Sequence, residues 1–170
     1  QIVASHYSIW LTPADDDKAY LQNMIRGLSS EHKAPVFSPH CTLYSPADLA
    51  KSELEEILEY VAEGILPLTV MVDKLNFTSN IWKTVFIELE KSQELTWLQQ
   101  KLVHRIPAPK QYDFSPHISL IYSVMSTGKK KGIIEKIPLR NSYKMDKISA
   151  VETGLDVVNW KNIAEVKLHA

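Results

Sequence analysis

Apolar and polar residues alternate along the chain with two periods, one typical of strands and one typical of amphipathic helices. Leu54, Leu58 and Val61 lie at the spacing of one helix face, whereas segment 83–90 alternates at every second residue. Pro, Gly and Asn residues separate such segments and mark turns. The pattern predicts strands at 2–11, 36–44, 66–77, 83–90, 117–123, 143–152 and 163–168, and helices at 14–28, 48–62, 92–105 and 127–135.

The order of these elements indicates the fold class. Helices and strands alternate, strands outnumber helices, and most connections between successive strands suit antiparallel pairing. We therefore expect an α+β fold. Residues 1–170 contain no Gly- or Ser-rich linker, so we expect a single domain. Ser92 is a candidate N-cap for the third helix.

Composition narrows the class of protein further. Hydrophobic residues make up 45% of the chain and charged residues 23%, as in ordinary globular proteins. The 19 Lys and Arg residues nearly balance the 20 Asp and Glu residues, which gives a net charge of −1. A protein that binds a long DNA or RNA usually has a strong basic excess. We therefore expect a small ligand and no long nucleic acid.

The single cysteine, Cys41, predicts a reducing compartment, because it has no partner for an intramolecular disulfide. The longest apolar stretch, 64–72, is far shorter than the roughly 20 residues of a membrane helix, and no basic-then-apolar leader is visible. We expect a cytoplasmic protein without a membrane partner. The sequence has no Gly-rich phosphate loop and no cluster at metal-ligand spacing, so we expect no cofactor and no metal.

A repeated tetrapeptide is the most specific signal in the sequence. Phe-Ser-Pro-His occurs at 37–40 and again at 114–117. In each copy a hydroxyl residue, Thr42 or Ser119, stands two positions after the histidine, and a leucine follows it. The two copies lie about half a chain apart, which indicates a duplication.

The repeat predicts a particular chemistry. Residues two apart in a strand share a face, so each histidine points the same way as its hydroxyl residue. If pseudo-twofold symmetry relates the copies, one cleft contains His40, Thr42, His117 and Ser119. A neutral imidazole can then act as a base and a protonated one as an acid on opposite sides of a phosphorus atom, while the hydroxyls donate to the non-bridging oxygens. A single His-x-Thr is usually structural, but two copies in the same context favour catalysis.

Paired His-x-Thr/Ser motifs in a chain of this length resemble those of the 2H phosphoesterase superfamily, and most closely the small cyclic phosphodiesterases of plant and yeast type. The resemblance includes the first strand at 7–10, both histidine motifs and the strand between them. It implies a duplicated, bilobal fold in which two antiparallel sheets face a central cleft and helices pack outside. It also implies a monomer.

The resemblance further implies a reaction. Proteins of this group hydrolyse ADP-ribose 1″,2″-cyclic phosphate and nucleoside 2′,3′-cyclic phosphates, without a metal, to 2′-phosphates. By resemblance, His117 activates water and His40 protonates the leaving oxygen, although the near symmetry of the motifs leaves this order open. Thr42 and Ser119 would bind phosphate oxygens. Tyr122 corresponds to an aromatic residue that often follows the second motif, but strict alternation turns it away from the cleft unless a bulge intervenes.

Other residues have less specific interpretations. Tyr44 shares the parity of the first motif histidine and is an alternative wall for a nucleobase. Trp10 and Trp82 are more typical of a sheet core than of a binding site. Cys41 should pack on the opposite face of its strand and be inert. The lysine run at 129–131 predicts a solvated helix face.

Two alternative functions stay open. An RNA 2′,3′-cyclic phosphodiesterase would use the same chemistry on the end of a polymer, which the net charge of −1 disfavours. A non-catalytic nucleotide-binding module would retain the cleft, which the two intact histidine motifs disfavour.

Overall fold

The computed structural model describes residues 6–170, and its helices and strands alternate along the chain. The strands are β1 (Tyr7–Pro13), β2 (Cys41–Ala47), β3 (Leu68–Phe77), β4 (Val85–Leu89), β5 (His117–Ile121), β6 (Ser142–Glu152) and β7 (Lys161–Lys167). The helices are α1 (Asp15–His32), α2 (Lys51–Ala62), α3 (Gln93–Arg105) and α4 (Thr127–Lys136), with short 3₁₀ turns at Ile81–Lys83 and Val157–Asn159.

Each helix and strand predicted from the sequence coincides with an observed one, apart from shifts at the ends. Positions 2–5 of the first predicted strand lie outside the described residues. The second strand begins later than predicted, at Cys41. Residues 34–40 before it have no regular structure, because Pro35 and Pro39 cannot donate a hydrogen bond to a strand ladder.

All the strand pairs of the sheet are antiparallel, which confirms the α+β class. One half of the sheet has the order β2-β1-β6-β7, and the other half has the order β3-β4-β5. A short ladder between Leu68–Met71 and Ser142–Met145 joins the two halves. This arrangement agrees with the two-sheet fold that the resemblance implies.

The helices and the edge strands complete the architecture. Helix α1 contacts β1 and β5, α2 contacts β6 and β7, α3 contacts β2 and β3, and α4 contacts β3 and β4. Strands β2 and β5, each the last strand of its half, contact each other. Since β5 starts with one motif histidine and β2 follows directly after the other, this contact brings the two copies of the repeat together.

The interior follows from the sequence pattern. Leu54, Leu58 and Val61, which mark the apolar face of α2, are fully buried. The Ser92 hydroxyl accepts the Leu95 N–H at 3.2 Å and caps α3, as predicted.

Among the helices described for residues 6–170, none combines the length and the apolar character that a bilayer span requires.

One buried polar contact ties α3 to the middle of β2. The Gln99 side chain is buried, and its Nε2 donates to the Leu43 carbonyl oxygen at 3.2 Å. We expect Gln99→Met to lower the free energy of unfolding by about 1–3 kcal/mol, because the carbonyl then lacks a partner in an apolar interior. Urea denaturation measures the effect.

Gln100→Met is the matched control, because the adjacent Gln100 side chain is exposed. It should change the free energy of unfolding by no more than about 0.5 kcal/mol. Equal effects of the two substitutions would show that the bond from Gln99 to Leu43 does not stabilise the fold.

Candidate active site

The two motif segments form the walls of one open cavity of about 790 Å³. All five residues predicted from the sequence line this cavity: His40, Thr42, His117, Ser119 and Tyr122. The contact between β2 and β5 is what places residues from distant parts of the chain in a common space.

The first three residues of the Phe-Ser-Pro-His segment have the same burial pattern in both copies. The phenylalanine and the proline are buried and the serine side chain is exposed in each copy. Phe37 and Phe114 both belong to the main hydrophobic core. The repeated Phe and Pro therefore anchor the segment, so that the following histidine emerges at a fixed place.

The same hydrogen bond orients both imidazole rings. His40 Nδ1 donates to the Ser38 carbonyl oxygen at 2.7 Å, and His117 Nδ1 donates to the Ser115 carbonyl oxygen at 2.8 Å. A carbonyl oxygen can only accept, so Nδ1 must carry a proton in each ring. This leaves Nε2 as the nitrogen that can take or give a proton.

Each motif strand contains a bulge at its leucine. The partners of two consecutive β1 residues are Thr42 and Tyr44, so Leu43 is an extra residue in β2. In the same way, consecutive residues of β4 pair with the residues on either side of Leu120 in β5. A bulge of this kind re-aims the side chains that follow it.

The bulges decide which aromatic residue reaches the cavity. Tyr122 and Ser45 each stand five residues after a motif histidine, and both line the cavity although strict alternation would turn them away. Tyr44 is buried in the core instead, where its hydroxyl oxygen accepts the Lys110 N–H at 3.0 Å. The structure thus places Tyr122 in the cavity and excludes Tyr44 as a cavity wall.

The environment of His40 keeps its imidazole neutral. The ring stacks on Trp10 at a centroid distance of 3.5 Å and an interplanar angle of 8°. The pKa of His40 is lowered to about 3, mainly by burial; the hydrogen bond to Ser38 opposes this shift, and the charge of a protonated His117 contributes to it. In the free site His40 therefore presents an unprotonated Nε2 at neutral pH.

His117 differs from His40 in its exposure and its neighbours. The side chain is only partly buried, and burial lowers its pKa to a smaller extent. The hydrogen bond to Ser115 and the charge of Glu88 raise the pKa, whereas the charge of Lys83 lowers it. Two rings with the same local geometry therefore have different proton affinities.

The two hydroxyl residues also differ. Ser119 Oγ donates to the Trp82 carbonyl oxygen at 3.1 Å, so it must rotate before it can donate to a phosphate. Among the hydrogen bonds of residues 6–170 none includes the Thr42 hydroxyl, which is available to a ligand as it stands.

Sequence reasoning missed several residues of the cavity wall. Trp10 and Trp82 both line the cavity, although the sequence favoured the sheet core over the binding site for them. Trp160 joins them, with its ring centroid 5.8 Å from that of Trp82 and 5.8 Å from that of Trp10. His6 lines the cavity as well, and its Nδ1 lies 2.8 Å from a carboxylate oxygen of Asp48. No local pattern marks Trp160 or His6, because tertiary contacts alone bring them there.

Two further expectations have opposite outcomes. Cys41 is buried, which confirms that it packs in the interior, and burial raises the pKa of its thiol to about 12, which favours the unreactive thiol at neutral pH. The expectation of a solvated lysine face is wrong for Lys130, because this side chain is buried and donates to the Thr78 carbonyl oxygen at 2.8 Å. Lys129 and Lys131 are exposed.

The described part of the chain contains no group of three or more His, Cys, Asp or Glu side chains that could hold a metal ion. The residues that face the cavity include imidazoles, hydroxyls, aromatic rings and one lysine. Such a set can exchange protons with a bound molecule and donate hydrogen bonds to it.

Residues 6–168 match the family model described as cyclic phosphodiesterase-like protein. This chain belongs to the cyclic phosphodiesterase-like family. A protein of Arabidopsis thaliana named cyclic phosphodiesterase is 22% identical over 172 residues, which cover 96% of this chain and 95% of the relative. A putative phosphoesterase of Bacillus cytotoxicus is 27% identical over 132 residues, covering 75% of this chain and 73% of the relative.

Solved structures confirm the fold of this family, which is that of the 2H phosphoesterases. E. coli LigT in its apo form superimposes with a TM-score of 0.67 at 13% identity, covering 98% of both chains. LigT complexed with 3′-AMP gives a TM-score of 0.68 at 12% identity, covering 98% of this chain and 99% of that one. Membership of the cyclic phosphodiesterase-like family makes the chain a phosphodiesterase, a hydrolase that acts on cyclic phosphodiesters.

The stacking of Trp10 on His40 gives a prediction for the proton affinity of the site. We expect the His40 imidazole to stay neutral between about pH 8 and pH 5, because burial holds its pKa near 3. NMR titration of the ring protons measures this directly. Trp10→Leu should raise the pKa of His40 by opening the ring to water, whereas Trp97→Leu, at a side chain that is 75% exposed on α3, should leave it unchanged. A His40 signal that titrates near the ordinary value of about 6.5 in the unsubstituted protein would contradict the burial.

Proposed function

We propose that the protein hydrolyses the cyclic phosphate of a small nucleotide, either ADP-ribose 1″,2″-cyclic phosphate or a nucleoside 2′,3′-cyclic phosphate, to a phosphomonoester without a metal. The observation that carries the proposal is the pair of imidazoles, each fixed through Nδ1 to a carbonyl oxygen and each accompanied by a hydroxyl residue, in one cavity. In-line hydrolysis needs a base on one side of the phosphorus and an acid on the other.

The reaction follows from these groups. The Nε2 of one imidazole removes a proton from water as the water oxygen attacks phosphorus. The bond from phosphorus to one ring oxygen of the cyclic phosphate breaks, and the Nε2–H of the other imidazole gives its proton to that oxygen. Thr42 and Ser119 donate hydrogen bonds to the non-bridging oxygens, where charge accumulates in the transition state.

The order of the two histidines has two candidate assignments. The resemblance to plant and yeast cyclic phosphodiesterases gives water activation to His117 and protonation of the leaving oxygen to His40. The pKa values of the free site point to the reverse order in one respect, because His40 has the lower pKa and is the more completely unprotonated ring at neutral pH. A pKa this low also makes His40 the weaker base, since an efficient base has a pKa near the working pH.

Two observations support a nucleotide as the substrate. The cavity wall contains Trp82, Trp160 and Tyr122, whose rings can stack on a nucleobase. The Arabidopsis relative is named as a cyclic phosphodiesterase, and LigT has been solved with 3′-AMP. The volume of about 790 Å³ is within the range of a site for a small molecule.

The single cysteine favours a cytoplasmic location, and the resemblance to the cyclic phosphodiesterases favours a monomer. Both remain predictions from the sequence. Size-exclusion chromatography with light scattering tests the second of them.

Removal of either imidazole should abolish most of the activity. We expect His40→Ala and His117→Ala each to lower kcat for 2′,3′-cyclic nucleotides by about 10²- to 10⁴-fold, because one of the two proton transfers loses its partner. Activity is measured with EDTA present, and the products are identified by phosphorus NMR. His32→Ala, at the end of α1 and outside the cavity, is the matched control and should keep full activity. Full activity in His117→Ala, or loss of turnover on addition of EDTA, would refute the proposed mechanism.

A comparison of substrates separates a nucleotide enzyme from an RNA-end enzyme. We expect faster turnover of ADP-ribose 1″,2″-cyclic phosphate or of a 2′,3′-cyclic mononucleotide than of an oligonucleotide with a cyclic end. The rate should depend little on salt, because a chain with a net charge of −1 lacks the overall basic excess typical of proteins that bind a polymer. Preference for the oligonucleotide together with a steep salt dependence would assign the enzyme to RNA ends instead.

A substrate with sulfur in place of the leaving oxygen distinguishes the two assignments of the histidines. A thiolate leaves without protonation, so this substrate restores activity to the variant that lacks the acid and does not help the variant that lacks the base. Recovery in His40→Ala supports the order implied by the resemblance. Recovery in His117→Ala supports the order implied by the pKa values of the free site.

A further inference from the structure

The catalytic cavity has few positively charged side chains for a site that would bind an anion. Among the lining residues of the described chain there is no Asp or Glu, and Lys83 is the lysine or arginine that faces the cavity. Both catalytic imidazoles have lowered pKa values and are therefore poor sources of permanent positive charge. A cyclic phosphate is an anion, and further charge develops on its non-bridging oxygens as water attacks.

The backbone around Lys83 is held by a dense set of hydrogen bonds. Lys83 ends the 3₁₀ turn Ile81–Lys83, and its carbonyl oxygen accepts the Thr78 hydroxyl at 2.6 Å. The Asn80 side chain accepts the Trp82 N–H at 3.0 Å at the start of the turn. The buried Lys130 donates to the Thr78 carbonyl oxygen at 2.8 Å and fixes the turn from behind. The base of the Lys83 side chain is therefore preorganised.

The ammonium group of Lys83 has no anionic partner of its own. None of the ion pairs within residues 6–170 includes it, whereas Lys74 pairs with Glu88 and Lys147 pairs with Asp146. Instead, Lys83 Nζ lies 4.8 Å from the centroid of the Phe86 ring. An ammonium over an aromatic face keeps its hydrogen-bond donors free for a ligand.

The Phe86 ring connects Lys83 to the second motif. Its centroid lies 5.3 Å from that of the His117 imidazole, which it meets edge to face. The ammonium and the imidazole therefore contact the same buried ring. Consistent with this arrangement, the charge of Lys83 lowers the pKa of His117.

We propose that Lys83 is a further catalytic residue of this enzyme, which binds a non-bridging oxygen of the reacting phosphoryl group beside His117 and neutralises the charge that develops there. This inference rests on the proposed function and adds the cation that the two histidine motifs do not supply.

The competing role for Lys83 is recognition of a second phosphate elsewhere on the substrate. A nucleoside 2′,3′-cyclic phosphate has no second phosphate, whereas its 5′-phosphorylated form has one. If Lys83 binds the reacting group, its removal affects both substrates by the same factor. If Lys83 binds a second phosphate, its removal affects the 5′-phosphorylated substrate alone.

The test compares Lys83→Met with Lys83→Arg and with Lys131→Met, the last at an exposed lysine of α4. We expect Lys83→Met to lower kcat/KM for both cyclic nucleotides by about 10²-fold. Lys83→Arg should retain most of the activity, and Lys131→Met should retain all of it. Unchanged kcat/KM in Lys83→Met, or a loss confined to the 5′-phosphorylated substrate, would overturn the inference.

A second readout distinguishes a charge effect from a structural one. In NMR titrations the pKa of His117 should rise in Lys83→Met, because a positive charge near the ring is lost, while Glu88, whose charge raises this pKa, is unchanged. A His117 pKa that does not move would contradict the proximity of the two groups. Failure of the inference is also distinct from failure of the proposed function, because in the second case the unsubstituted protein turns over neither cyclic nucleotide.

Discussion

The hydrogen bond from each motif histidine to the carbonyl oxygen two residues before it is the interaction on which the site depends. It fixes the tautomer and the orientation of the ring in a single step, since a carbonyl can only accept the Nδ1 proton. The bond in turn requires the buried Phe and Pro of the same segment, which hold the carbonyl in place. Each copy of the repeated tetrapeptide therefore holds its histidine so that Nε2 faces the cavity.

The two histidine motifs have the same local geometry, yet the tertiary structure gives them different surroundings. Trp10 covers the His40 ring and excludes water from it, whereas the His117 ring is partly open and lies near both Lys83 and Glu88. Desolvation is the largest influence on the pKa of either ring, so the difference in burial is what separates their proton affinities. When two histidine motifs have equivalent local geometry, their separate acid and base roles must arise from differences in the burial and charged neighbours of the two rings.

The sequence was sufficient for those parts of the structure that local pattern controls. The amphipathic face of α2, the cap at Ser92 and the repeated histidine motif each depend on residues a few positions apart, and each is recognisable without a structure. Strict alternation predicts the wrong face for Tyr122, and only the resemblance placed it in the site, because its orientation depends on a bulge at Leu120 that reverses the alternation of the strand. Trp160 and Lys83 were missed for a related reason. Their places in the wall depend on contacts between distant segments, and no short motif encodes them.

Because both imidazoles have lowered pKa values, the free site does not by itself supply the protonated ring that the proposed reaction needs as its acid. A site with two neutral rings contains a base but lacks an acid. Binding of a phosphate anion in a partly desolvated cavity favours the protonated form of a nearby imidazole, because the opposite charge raises its pKa. In the proposed mechanism the substrate thus helps to create the acid that its own hydrolysis requires. The positive charge of Lys83 reduces the rise in the pKa of His117 that a bound anion causes. The same anion therefore raises the pKa values of the two rings by different amounts. On this view the charge on the bound phosphate, shared between Lys83 and one protonated ring, converts two equivalent motifs into an acid and a base.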